Sequence, residues 1–275
     1  RRLMLGLGNS MVSGGSFESV LDLSSKVLHI SSLNVTSSDV GGTQLVSSME
    51  NLVDGSSVTV SQAVDAQKPI HDTVNSRVSF PFESASAQVD VLNLSSAISL
   101  TDAFTIFFVS AQATPGVSNL AYQIVTGSYT DNNNKSGIYL FSPEEDGVDP
   151  YFNLKSTQSG VTDEIGIEQF DEGLIASTYP NFICVTKDAG ANATVKVYQS
   201  IGGFFFEEIS DTDFNLDVDF VVDQIGGFGA CQSPAGGTGA AQGNMHLYEL
   251  GVFTEALSES QVRTLSSDMV AKHGL

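Results

Sequence analysis

Alternation with a period of two dominates the chain. Ala103-Phe-Thr-Ile-Phe-Phe-Val109 is a β-branched and aromatic run that reads as a buried strand. Asn181-Phe-Ile-Cys-Val-Thr-Lys187 reads the same way. A Gly/Asn/Asp cluster at 188–192 separates it from Thr194-Val-Lys-Val-Tyr198, which is the pattern of a β-hairpin. Further strands are predicted over Phe204–Ile209, Asp217–Val222 and Met245–Phe253. Polar stretches at Tyr129–Gly137, Ser142–Pro150 and Gly226–Gly243 read as turns and loops, the last a long Gly/Ala-rich exposed one. Short strands separated by turn signals predict an all-β sandwich.

The pattern changes to a helical one at the C-terminal end. Ser258 followed three residues later by Gln261 is a capping box, and Leu257 with Val262 forms the hydrophobic staple around it. Val262, Leu265, Met269 and Val270 recur at helical spacing. Lys272 and His273 sit in the last turn, where they complement the helix dipole, and Gly274 is placed as the stop. Residues 1–16 are Gly/Ser-rich without a core pattern and read as an extended N-terminal arm ahead of one domain, 17–275.

Composition narrows the partners. The chain has 275 residues, with 32 Asp and Glu against 11 Lys and Arg, a formal net charge of −21. Phosphate backbones are bound by Lys and Arg that displace counterions, so nucleic acid and anionic membrane are excluded as direct ligands. Hydrophobic residues make up 41% of the chain, enough for a real core despite the charge. The apolar run 103–109 is about a third of a membrane span. Cys184 and Cys231 pair or stay free; no CxxC or Cys/His cluster points to zinc or redox chemistry.

The segment Met245-His-Leu-Tyr-Glu-Leu-Gly-Val-Phe-Thr-Glu-Ala-Leu-Ser-Glu-Ser-Gln-Val-Arg263, running on to Ala271-Lys-His-Gly-Leu275, resembles the closing motif of concanavalin A-like (laminin-G-like) jelly-roll domains. Looser matches fall in the family's order: Lys68-Pro69, Asn75–Phe80, Val89–Leu92, Leu94–Val109 and the Phe182–Tyr198 hairpin. The resemblance covers roughly residues 60–275. It implies a concanavalin A-like β-sandwich (jelly roll) with a short C-terminal α-helix. Lectin-like and enzymatic members usually carry Trp in the early strands and an Asp/Asn-rich loop; this chain has no Trp, and Ser56–Gln62 stands in that region. With its Gly/Ser-rich arm Leu5–Gly15, the domain also resembles virion structural proteins of tailed phages.

Several constellations invite chemistry. Glu164 and Glu168 have the spacing of the two carboxylates of retaining jelly-roll glycosidases, but Gly166 replaces the Asp between them. Gly8-Asn9-Ser10-Met11 is similar to the nucleophile block of GDSL hydrolases, yet Asn9 replaces the Asp, and Asp268 and His273 stand five apart instead of three. Asp211, Asp213, Asn215, Asp217 and Asp219 alternate with apolar neighbours, which reads as the solvated face of a strand. Calcium also favours such oxygen ligands, so Asp213, Asn215 and Asp217 are candidate metal ligands. Asp131, in the Asp131-Asn-Asn-Asn134 loop, is a separate calcium or glycan candidate, with an ordinary surface turn as the alternative, and no other cofactor is called for. His29, His71, His246 and His273 are scattered along the sequence and read as structural. Phe204-Phe-Phe206 cannot bury all its rings on one face, so Phe205 is a candidate subunit contact, together with Arg1, Arg2, Leu3 and Leu5 of the arm.

The resulting expectation is a non-enzymatic structural protein on a phage particle, a capsid decoration or head/tail fibre component. It would assemble as a homo-oligomer, a trimer, against other virion proteins and reach a host surface glycan. The alternative is a carbohydrate-binding adhesin module, and after it a glycoside hydrolase.

Overall fold

The computed structural model describes residues 19–81, 83–84, 90–112, 122–131, 133–141, 151–167, 180–190, 193–201, 205–208, 215–216, 219–226, 241–242 and 245–274. Every strand pairing among them is antiparallel. One sheet runs in the order Lys26–Ser31, Met245–Phe253, Phe104–Gln112, Asn181–Lys187, Ala193–Ile201, Phe205–Glu208. The other runs Thr43–Met49, Val60–Ser61, Val91–Leu100, Phe220–Gly226, Tyr122–Asp131, Asn134–Phe141, Tyr151–Gln158, Val161–Ile167. Side chains from both sheets form one apolar core that includes Phe80, Phe104, Phe108, Phe152 and Phe220. This is the expected β-sandwich with one C-terminal helix.

The Asn181–Lys187 and Met245–Phe253 strands of the first sheet are buried on both faces. The outer side of that sheet contributes Phe107, Phe182, Cys184 and Tyr198 to a second apolar layer, closed by Leu257, Val262, Leu265 and Met269 of the terminal helix and its lead-in. That cover explains why Asn181–Lys187 and Met245–Phe253 are buried at every position. A sheet covered on both faces selects apolar residues in continuous runs instead of alternation.

The helix spans Glu259–His273 and is capped as its sequence dictates. The Ser258 hydroxyl accepts from the Gln261 backbone N–H, while the Gln261 side chain accepts from Ser258 N–H at 2.9 Å. Gly274 closes the other end at φ 66°, its N–H donating to the Val270 carbonyl. Buried Ser266, not half-buried Val270, completes the inward face with Val262, Leu265 and Met269. Cys184 is a free, buried thiol; burial pushes its pKa up and keeps it protonated and inert. Cys231 lies outside the described residues.

Two local expectations are corrected. Tyr129–Gly137 is not a loop: its residues continue the ladder of a hairpin, with Tyr129 opposite Lys135 and Asp131 opposite Asn134. Polar side chains do not prevent a strand where the backbone finds a pairing partner, here Lys135 for Tyr129 and Asn134 for Asp131. The predicted Asp217–Val222 strand is instead Phe220–Gly226, preceded by the short Asn215–Leu216 strand on Ala193–Thr194.

Candidate functional site

The Val35–Val40 and Thr43–Met49 strands form a hairpin through a two-residue turn, Gly41-Gly42. Both glycines have positive φ, 65° and 90°, the geometry of a type I′ turn, which only glycine and a few polar residues tolerate. The Asp39 carboxylate accepts from Gly42 N–H at 3.0 Å and from Gln44 Nε2 at 3.3 Å, fixing the turn and the side chain beyond it. Leu45 pairs with Ile70, and the Ile70–Asp72 strand pairs with Arg77–Phe80, which in turn pairs with Met245–Leu247. These short strands stitch the two sheets together along one edge.

At that junction lies an open depression of about 400 Å³, lined by residues 42–44 and 70–73 with Ser79 and His246. Its walls are polar and held in place. Asp72 accepts from the backbone N–H groups of Val74 and Asn75, both at 3.2 Å, and from Asn75 Nδ2 and Arg77 Nε, both at 2.8 Å. The Asp72 carboxyl is held below its ordinary value: burial pushes it up, and the Asn75 and Arg77 hydrogen bonds outweigh that. Tyr248 and Asp72 together favour the charged Arg77 guanidinium against its burial. His71 Nδ1 is 3.1 Å from Ser37 Oγ. Burial lowers His71, and it lowers His246 further, to about 4, with the nearby Arg77 charge adding to the effect. His246 is 8% exposed and its Nδ1 has no partner among the described residues.

A second cluster lies behind this edge. Leu247 sits opposite Ser110 and Glu249 opposite Val109, so Tyr248 is an extra residue, a β-bulge. Before the bulge Met245 and Leu247 face the sandwich core; after it Leu250 and Val252 do. Glu249 is thereby turned toward the helix. It is fully buried and accepts three charge-assisted contacts: His29 Nε2 at 2.6 Å and Lys272 Nζ at 2.7 Å on one oxygen, His273 Nε2 at 2.7 Å on the other. The His273 ring meets Tyr248 edge-on at 5.8 Å. Interactions therefore run from the helix end through Tyr248 and Arg77 to Asp72, the wall of the depression.

The four histidines are therefore not scattered. His29 and His273 converge on Glu249, and His71 and His246 line one depression, because strand register joins positions far apart in sequence. Lys272 and His273 do more than complement the helix dipole, and His273 is engaged by Glu249 in place of the Asp268 pairing that a GDSL-type site requires. The signals that locate the depression are Gly41-Gly42, a hairpin marker, and the Asp72–Asn75 turn; neither stands out by hydrophobic pattern.

The other sequence candidates are dispersed. Asp131 ends one strand and Asn215 begins another. Phe205 opens the strand on Ala193–Ile201, opposite Ile201. Glu164 lies opposite Lys155 in the Val161–Ile167 strand, which ends before Glu168. Glu168, Asp213, Asp217, the Gly8–Met11 block and the whole arm with Arg1, Arg2, Leu3 and Leu5 lie outside the described residues. Among the described residues no helix is long and apolar enough to cross a membrane.

This geometry defines the chain as a jelly-roll-like β-sandwich with a polar edge depression. No protein-family model matches it, and no curated protein matches it in sequence. Its fold is similar to solved structures of botulinum neurotoxin binding domains. A mutant of HCR D/C is 14% identical with a TM-score of 0.51, over 91% of this chain and 53% of that one. The botulinum neurotoxin serotype C1 binding domain is 14% identical with a TM-score of 0.50, over 89% of this chain and 52% of that one. A third, at 13% identity and TM-score 0.48 over 89% of this chain and 51% of that one, comes from botulinum neurotoxin type C, which enters cells through interaction with two ganglioside molecules. The chain spans about half the length of these structures, and at such identities the likeness is one of fold.

Proposed function

We propose that this chain is a non-enzymatic carbohydrate-binding module. The observation that carries the reading is the edge depression: an open surface of oligosaccharide size where hydroxyls, an amide and imidazoles stand beside the clamped Asp72 carboxylate and apolar Ile70. A sugar hydroxyl both donates and accepts, so Thr43, Gln44, Thr73 and Ser79 suit it as a group. The toxin binding domain of the same fold is compatible with this use. The particle-structural expectation rested on the arm 1–16, outside the described residues, and the similar structures named above are toxin domains, so the adhesin-like alternative is the one carried forward. A glycan array with the intact chain tests it. Specific retention that disappears in Thr43→Trp, with an unchanged far-UV spectrum, is the expected result. A blank array, or retention untouched by Thr43→Trp, overturns the reading.

A further inference from the structure

We propose that the depression selects uncharged oligosaccharides over sialylated or sulfated ones, an inference that rests on the carbohydrate-binding reading just given. Recognition of an anionic sugar is favoured by a cation free to face it. Among the described residues that line the depression none is Lys or Arg, and Arg77, on the strand beside it, directs its Nε to Asp72 at 2.8 Å. The Asp72 carboxylate is itself saturated, with two donors on each oxygen. The Arg77–Asp72 pair is close to neutral overall, and the described lining of the depression adds no cation to it.

The two histidines complete the argument. His246 is buried where Arg77 adds positive potential, and both effects favour the neutral ring. His71 is half-buried and shares a hydrogen bond with Ser37. At neutral pH the depression thus offers hydroxyls, an amide, neutral imidazoles and the Asp72 carboxylate, a set that suits the donor and acceptor character of sugar hydroxyls and repels an anion. Ile70 adds an apolar surface to the lining, and Val74, the next residue after Thr73, is 88% exposed on the turn that Asp72 clamps. Such surfaces suit the C–H face of a pyranose ring. Beyond the site, the net charge of −21 repels an anionic ligand before it arrives.

The test is an array carrying neutral galacto-, gluco-, manno- and fuco-configured oligosaccharides beside their sialylated and sulfated counterparts, followed by titration of the strongest matched pair with the intact chain. The expected result is a preference of about tenfold or more for the neutral member, narrowing as salt screens the field. Equal or tighter binding of the anionic member overturns this inference while leaving the carbohydrate-binding reading standing. Binding of neither member, anywhere on the array, overturns both. His246→Arg, which puts a fixed cation at the site, is expected to erase or reverse the preference in a protein whose thermal transition is still cooperative. An unchanged preference in that variant also counts against the inference.

Discussion

Glu249 and His273, 24 residues apart, meet at 2.7 Å inside the protein, one on the closing strand and the other in the last turn of the helix that covers it. Lys272 and His29 complete the arrangement on the other carboxylate oxygen. A buried carboxylate of this kind fixes where the helix ends against the sheet. Removing it strands the groups that faced it, which is where the cost of breaking buried pairs arises.

Glu249→Gln is accordingly expected to lower stability by about 3 kcal/mol, read as a shifted midpoint in urea at constant slope. Lys272→Met removes only a partly exposed ammonium and is expected to cost about 1 kcal/mol or less. Equal losses in the two variants would contradict the role given to the carboxylate.

The acid limb of stability has two successive contributions. His246 is lowered from 6.5 to about 4 by burial and by Arg77. The unfolded chain therefore takes up a proton that the folded one refuses, and stability falls as pH drops through that interval. For Glu249, burial pushes the carboxyl up, but hydrogen bonds from His273, His29 and Lys272 hold it well below its ordinary 4.5. Its stabilisation is complete above 4.5 and drains away as pH falls further. Urea midpoints across this range are expected to show His246→Asn flattening the upper part of the curve and Glu249→Gln the lower.

Gly251 is expected to tolerate no side chain. It lies opposite Phe107, and a Cβ there would stand 2.2 Å from the Phe107 ring. That ring is packed between Phe182 and Phe253, at centroid distances of 6.1 and 6.2 Å, and cannot yield cheaply. Gly251→Ala should cost about 1–3 kcal/mol. The double variant with Phe107→Leu should recover part of that loss, giving a coupling that equilibrium unfolding measures directly.

The end of the chain was the most legible part. Met245–Phe253 and the helix after it carry their own signals: a capping box, a staple and a terminal glycine, all local in sequence and all realised. The site was not legible in the same way. A period-two reading puts Glu249 on the face of Leu247, whereas the bulge at Tyr248 reverses the phase and turns the carboxylate toward the helix. Val35-Thr-Ser-Ser-Asp-Val40 is mostly exposed and has no apolar alternation, so its strand is marked only by the glycine turn that follows. His71 and His246 line one depression because both strands pair with Arg77–Phe80, a long-range register that no local pattern encodes.

The most direct test of the central claim is a heteronuclear NMR titration of the intact chain with the strongest neutral oligosaccharide from the array. The account predicts that the perturbed amide resonances cluster at 42–44, 70–73, Ser79 and His246, the lining of the depression. Perturbations confined to another face of the sandwich, or no saturable shifts at all, would contradict it.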